Sequence, residues 1–322
     1  MVISMIKEEN IEKLFDVLDQ SATLYYTELK TPYLEGLVKT CENILANSVE
    51  TESEELNLKL LDLMNEISDI DFQKEEIRKA FQYCCLRGLK HQNISNQMIT
   101  PESIAVFISY LVNKLYELNE YVIYDPLVGS GNLISGLANN LEKNTVLFGT
   151  DKEIIYYQLA QALFGMLEYG DNVYFQDALT FTNIIADLIV TDFSGVEHSN
   201  IYELIKHLHT VIRDDGFFIS VVDNDFFDDE SIKDFIFEVK DKWHFFGMIV
   251  LPLTIFKSSH KSIFILQKIG KDFVRPGKFL VADIPDFNNE EKMISVVNQL
   301  NNWFDNIEFN RVREKNEKNN GS

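Results

Sequence analysis

The sequence predicts an α/β protein in which a doubly wound domain with a mostly parallel sheet follows an α-helical N-terminal domain. Within the first 95 residues, apolar side chains recur every three or four positions, as in Leu56, Leu60 and Leu63, which is typical of helices with one buried face. From residue 96 to about 310, short runs rich in β-branched and aromatic residues alternate with helical patterns. The Asn-, Lys- and Glu-rich residues 311–322 are expected to be a disordered tail.

The composition indicates an acidic protein with enough apolar residues for a sizeable core. Hydrophobic residues make up 46% of the 322 residues, and 51 acidic residues outnumber 29 basic ones, which gives a net charge of -22. Nucleic-acid binding draws most of its affinity from basic side chains. We therefore expect any contact with a nucleic acid to depend on a local basic patch or on a partner protein.

No targeting, membrane or metal signal is found. The sequence lacks a signal peptide and any apolar run of about 18 residues, so we expect a cytoplasmic protein without a membrane contact. Cys41, Cys84 and Cys85 lack metal-binding spacing and are predicted to be core thiols. His207 and His209 are two residues apart on a predicted helix and therefore do not share a face, so no metal site is predicted.

The second domain opens with a strand, a glycine turn and a helix. Residues 121–124 are strand-like, Gly129 and Gly131 allow a sharp bend and a close approach to a ligand, and helical spacing resumes at Leu133. A dinucleotide site would place a third small residue where Ile134 stands, which weakens that interpretation.

The run from Asp125 to Leu133 resembles the first motif of S-adenosylmethionine-dependent methyltransferases of the adenine-N6 DNA type. This group includes the modification subunits of type I restriction systems and a compact stand-alone group in Gram-positive bacteria. The resemblance implies a Rossmann-like class I methyltransferase domain over residues 96–310 and S-adenosylmethionine as cofactor. It assigns six residues to the methionine part of that cofactor: Asp125, Pro126, Gly129, Ser130, Gly131 and Asn132.

Three further segments resemble cofactor motifs of the same family. Thr100 and Pro101, in the run 97–101, would contact the cofactor's carboxylate at a helix N-terminus. Asp151, with Lys152 beside it, follows the predicted strand 145–150. At this place its carboxylate would accept hydrogen bonds from the ribose hydroxyls of the cofactor. The alternative is that Asp151 is the N-cap of the helix that follows.

The third predicted strand, residues 172–176, ends at Asp177 and Ala178. The resemblance implies that Asp177 accepts a hydrogen bond from the adenine amino group of the cofactor. A carboxylate at the end of a strand is otherwise most often a turn residue, and this alternative stays open.

The fourth motif departs from the family pattern. The family has Asn or Asp, then two prolines, then an aromatic residue that stacks on the extruded base. Here Asp192 can still accept a hydrogen bond, but Phe193 and Ser194 replace the prolines and Gly195 replaces the aromatic residue. Asp192 and Phe193 are the catalytic candidates, although Phe193 lies two residues before the expected platform. Methylation of adenine in DNA is therefore in doubt.

The later part of the second domain contains one basic spot. Lys257, His260 and Lys261 lie in a predicted loop between two strands, where they would either meet a substrate phosphate or form a plain surface loop. Fewer than 60 residues follow Lys268, so we expect no large target-recognition domain and no sequence-specific reading of DNA by this chain alone.

The motifs together predict a methyltransferase that acts on a nucleic-acid amino group or a similar nucleophile. Two alternatives are a cofactor-binding but catalytically silent regulatory or assembly module, and a methyltransferase for small molecules or proteins. The oligomeric state is not predicted.

Overall fold

The first four helices form the predicted helical domain. The computed structural model describes residues 6–92, 99–141, 143–256 and 259–313. The helices of this domain are α1 (Glu8–Leu29), α2 (Tyr33–Ala46), α3 (Glu54–Asn65) and α4 (Lys74–His91). Gly88 stands near the end of a helical pattern, where a glycine commonly ends a helix, but it lies inside α4. An added Cβ would come within 2.2 Å of Leu34, so the glycine allows α4 to lie close against α2.

The second domain contains the remaining helices and a large sheet. Its helices are α5 (Glu102–Leu115), α6 (Asn132–Asn139), α7 (Ile154–Met166), α8 (His198–Leu208), α9 (Ile232–Val239) and α10 (Glu290–Asn306). Its strands are β1 (Tyr116–Glu117), β2 (Glu120–Asp125), β3 (Asn144–Asp151), β4 (Val173–Phe175), β5 (Ala186–Asp192), β6 (Ile212–Asp223), β7 (Trp243–Val250), β8 (Lys261–Lys268), β9 (Leu280–Asp283) and β10 (Val312–Arg313).

The large sheet has the order β4-β3-β2-β5-β6-β8-β7-β9. All pairings are parallel except those of β8, which is antiparallel to both β6 and β7. The predicted α/β fold with a mostly parallel sheet is therefore confirmed. The strand order reverses between β2 and β5, and ligands of doubly wound sheets bind outside the carboxyl ends of the strands at such a point.

Two local predictions differ from the structure. Val312 and Arg313 pair with β1, so the first residues of the predicted tail are part of the fold; residues 314–322 lie outside the described residues. The apolar residues from Tyr202 to Ile212 predict a helix that ends in a turn at residues 213–216, but α8 ends at Leu208 and β6 begins at Ile212. The turn expected at 213–216 is instead an irregularity in the pairing of β5 with β6.

The helical domain shares a hydrophobic core with the sheet domain. Leu159 and Leu163 of α7 are buried in the same cluster as Leu37 of α2 and Phe81 of α4. All three cysteines are buried and unpaired, which confirms their prediction as core thiols. Among the described residues, no helix is both long and apolar enough to span a bilayer.

Candidate functional site

A cleft lies at the carboxyl ends of β2, β3 and β5, at the point where the strand order reverses. Its cavity volume is about 160 Å³, which is smaller than the roughly 300–1,000 Å³ usual for small-molecule sites. Eight of the predicted site residues line it: Thr100, Asp125, Gly129, Ser130, Asn132, Asp151, Lys152 and Asp192. It is also lined by residues that were not predicted to belong to the site: Leu127, Val128, Leu133, Glu153, Tyr156, Ser194 and Val196.

The glycine loop has the backbone that its sequence predicts. Gly129 and Gly131 have φ values of 53° and 79°, a region in which residues with a Cβ are strained. A Cβ on Gly129 would meet only the Leu127 carbonyl oxygen at 4.0 Å, so it would project into open space. A Cβ on Gly131 would lie 3.4 Å from Leu163 and Phe164 of α7. Gly129 thus keeps the loop open toward the cleft, whereas Gly131 lets it lie against α7.

Asp151 joins the end of β3 to the glycine loop. Its Oδ2 accepts a hydrogen bond from Gly129 N at 3.1 Å, and its Oδ1 accepts one from Glu153 N at 2.9 Å, just before α7 begins. Burial raises the pKa of the Asp151 carboxyl above its usual value, although both N–H bonds oppose this shift. The carboxylate therefore orders the helix start and faces the cleft at the same time.

Asp125 lies at the base of the cleft, where β2 ends. Its side chain is buried, and its Oδ1 accepts a hydrogen bond from Leu127 N at 3.0 Å. Burial raises the pKa of the carboxyl to about 7, and the nearby charges of Asp151 and Asp192 add to the shift. A cationic ligand in the cleft would favour the ionised form of Asp125.

Asp192 lies at the end of β5 and is held by two segments. Its Oδ2 accepts a hydrogen bond from Thr100 Oγ1 at 2.7 Å, and its Oδ1 accepts from Ser194 N at 2.9 Å and from Ser194 Oγ. The Thr100 carbonyl in turn accepts a hydrogen bond from Asn132 Nδ2 at 2.8 Å. The predicted acceptor-orienting residue is thus connected through Thr100 to the residue that follows the glycine loop.

Lys261 belongs to this network and not to an exposed basic loop. It is the first residue of β8, its side chain is 2% exposed, and its Nζ donates a hydrogen bond to Ser194 Oγ. Nζ also lies 3.6 Å from Asp223 Oδ1 and 4.8 Å from the centre of the Phe256 ring. The interpretation of Lys261 as a surface residue is therefore wrong, because its side chain is buried and polar partners hold its ammonium group. His260 is exposed, and Lys257 lies outside the described residues.

Phe193 is a core residue. It is 1% exposed and lies in a cluster with Phe218, whose ring centre is 6.0 Å away. A ring buried in this way has no free face for a base or another ligand. The prediction of Phe193 as a catalytic residue is corrected accordingly.

Other predicted residues do not line the cleft. Asp177 is exposed, and its Oδ1 accepts a hydrogen bond from Leu179 N at 2.9 Å, capping a single 3₁₀ turn, which is the ordinary turn role. Ala178 is buried in the same hydrophobic cluster as Tyr124. Pro101 is the N-cap of α5, and Pro126 and Gly131 are buried behind the lining residues. Gln97, the first residue of the run 97–101 that ends with Thr100 and Pro101, lies outside the described residues.

The fold and its motifs define the class: the chain has the fold of class I S-adenosylmethionine-dependent methyltransferases. A structure from Listeria monocytogenes, a proposed enzyme of this class, matches 92% of this chain and 100% of its own, with a TM-score of 0.85 and 26% identity. A modification subunit of a proposed type I restriction enzyme from Vibrio vulnificus YJ016 matches 93% of this chain and 85% of its own, with a TM-score of 0.58 and 13% identity. The resemblance inferred from the motifs is thereby confirmed at the level of the fold.

One relative is similar in sequence to this chain over almost the whole length of both proteins. Residues 12–89 match the family described as the YtxK N-terminal helical domain, which supports the predicted helical domain. The uncharacterised protein YtxK of Bacillus subtilis (strain 168) is 29% identical over 330 residues, which cover 93% of this chain and 99% of YtxK.

Proposed function

We propose that the chain binds S-adenosylmethionine in the cleft and transfers its methyl group to a nucleophile held at Asp192. One observation carries this proposal: the glycine loop, Asp151 and Asp192 line a single cleft at the switch point of the sheet. These are the residues that the family motifs assign to the cofactor and to the methyl acceptor.

The residues of the cleft fit the chemistry of this cofactor. Its sulfonium and ammonium groups are cationic, and the cleft is lined by four acidic side chains, Asp125, Asp151, Glu153 and Asp192, against one basic side chain, Lys152. Each carboxylate oxygen of Asp151 accepts one backbone N–H and keeps a lone pair that a ribose hydroxyl can use. When bound, the cofactor supplies an electrophilic methyl group.

The part of the chain that would receive the acceptor is acidic. Asp192 can orient an incoming N–H through the remaining lone pair of Oδ2. The surface beside the turn at residues 193–196 carries Asp223, Asp225 and Asp229. These charges oppose a phosphate backbone, so we propose that a nucleic-acid acceptor reaches Asp192 with the help of a partner protein. A small amine or a protein side chain is the alternative acceptor.

A second candidate function is a cofactor-binding module without methyl transfer. Two observations favour it. Both oxygens of Asp192 already accept hydrogen bonds, and the position of the family's aromatic platform holds Gly195, while Phe193 is buried. Such a module would bind the cofactor and act through a protein partner.

Calorimetry with S-adenosylmethionine tests the cofactor site. Asp151→Ala should bind at least about tenfold more weakly than the wild type, a loss of about 1.4 kcal/mol. Asp286→Ala is a matched control, because Asp286 Oδ1 also accepts a backbone N–H two residues ahead, from Asn288 at 2.9 Å, but does not line the cleft. An absence of binding by the wild type would refute the proposal.

Methyl transfer is tested separately with labelled cofactor and pools of nucleic acid, peptides and metabolites. Asp192→Asn should lose transfer to any acceptor that is found while keeping most of the cofactor affinity, because the substitution keeps the shape of the side chain and removes one of the two oxygens that hold and orient the acceptor, while three acidic side chains still line the cleft. If no pool is labelled although the wild type binds the cofactor, the second candidate function is favoured.

A further inference from the structure

An arginine of the helical domain contacts a residue that lines the cleft. Arg78 of α4 has no exposed surface, and its Nη1 donates a hydrogen bond to Asn132 Oδ1 at 2.6 Å. Its Nε donates to Glu75 Oε2 at 2.8 Å, which supplies the opposite charge that a buried guanidinium needs. Since Glu75 balances the charge, the bond to Asn132 is an additional and directional contact between the two domains.

Asn132 connects three segments with one amide group. Its Oδ1 accepts from Arg78, and its Nδ2 donates to the Thr100 carbonyl at 2.8 Å. Arginine only donates and a carbonyl only accepts, so these two partners fix the orientation of the amide. Asn132 also lines the cleft and is the first residue of α6. The helical domain thus holds the residue at which the glycine loop becomes a helix.

The sequence of α6 leaves room for this contact. Gly136, one turn after Asn132, lies in the middle of the helix, where glycine costs about 1 kcal/mol relative to alanine. A Cβ at this position would lie 3.2 Å from Ala105 Cβ and 3.6 Å from Arg78 Nε. The glycine therefore lets α5 and the guanidinium group approach α6 closely.

We propose that Arg78 is a positioning residue that holds Asn132, and with it the glycine loop, in the conformation that binds the cofactor. This inference rests on the proposed function. It makes the helical domain part of the cofactor site, so that a protein bound to this domain can change the affinity for S-adenosylmethionine. By thermodynamic linkage, the cofactor must then change the affinity for that protein by the same factor.

A double-mutant cycle in the full chain tests the proposal, with S-adenosylmethionine affinity measured by calorimetry. Arg78→Met and Asn132→Ala should each weaken binding about tenfold, or 1.4 kcal/mol. The double variant should bind within about twofold of Asn132→Ala, because Arg78 acts through Asn132. Arg87→Met is the matched control: Arg87 lies on the same helix and pairs with Asp19, away from the cleft, so affinity should stay within about twofold.

Thermal unfolding of each variant establishes that it is folded. If Arg78→Met does not fold, Arg78→Lys replaces it, since lysine keeps a charge beside Glu75 but lacks the fork that also reaches Asn132. Three results would overturn the proposal: wild-type affinity in a folded Arg78 variant, an undiminished effect of Arg78→Met in the Asn132→Ala background, or an equal loss in Arg87→Met. An absence of binding by the wild type would instead refute the cofactor site itself.

Discussion

Replacement of Asp125 by Asn is expected to stabilise the protein at neutral and alkaline pH. The carboxyl is buried, and its pKa is raised from 3.8 to about 7, chiefly by burial. Asparagine has nearly the same shape, is uncharged at every pH, and keeps an oxygen that can accept the hydrogen bond from Leu127 N. The variant therefore removes the cost of ionising a buried carboxyl while leaving the local packing intact.

The sign and size follow from proton linkage. Between pH 3.8 and about 7, the folded state holds a proton on Asp125 that the unfolded state has released, so stability falls as the pH rises. At about 1.4 kcal/mol per pKa unit, the full shift corresponds to at most about 4 kcal/mol. We expect Asp125→Asn to gain about 1–3 kcal/mol over the wild type at pH 8, and nearly nothing at pH 4, where the carboxyl is protonated in the native state.

Urea denaturation at pH 4, 6 and 8 measures this difference, because contributions from other titrating groups cancel between the two proteins. Asp286→Asn serves as the control: hydrogen bonds lower the pKa of Asp286, so its replacement should bring no gain at pH 8. The reasoning is refuted if the stability difference between Asp125→Asn and the wild type does not change with pH, or if the variant is less stable at pH 8.

Three further substitutions test other parts of the site. Gly129→Ala should weaken cofactor binding about fivefold or more, because the φ of residue 129 is 53° and the new Cβ would enter the cleft. The control is Gly170→Ala, which should bind like the wild type because Gly170 also has a positive φ, 81°, but lies outside the cleft. Phe193→Ala should lower the free energy of unfolding, measured in urea, by about 3–5 kcal/mol. The side chain of Phe237 is 69% exposed, so Phe237→Ala should lower it by less than about 1 kcal/mol. Equal losses in the two variants would contradict the core position of Phe193. Lys261→Met should speed amide hydrogen exchange at residues 193–196, because the Ser194 hydroxyl loses its donor, and unchanged exchange would show that the lysine does not hold this turn.

The cofactor side of the cleft could be predicted from the sequence because its signals are local. A strand, two glycines and a helix follow one another within residues 121–139, and parallel strands bring Asp125, Asp151 and Asp192 to one edge of the sheet. The positive φ of both loop glycines follows from the same local pattern. No long-range contact was needed for these predictions.

The orientation of Phe193 and the partners of Lys261 and Arg78 could not be predicted in this way. β5 is buried on both faces, so the alternation of polar and apolar residues does not show which way the next residue points. Lys261 contacts Ser194, which lies 67 residues earlier, and Arg78 contacts Asn132, which lies 54 residues later. A charged residue beside a loop or on a helix is usually exposed, and only the tertiary fold buries these two beside their polar partners.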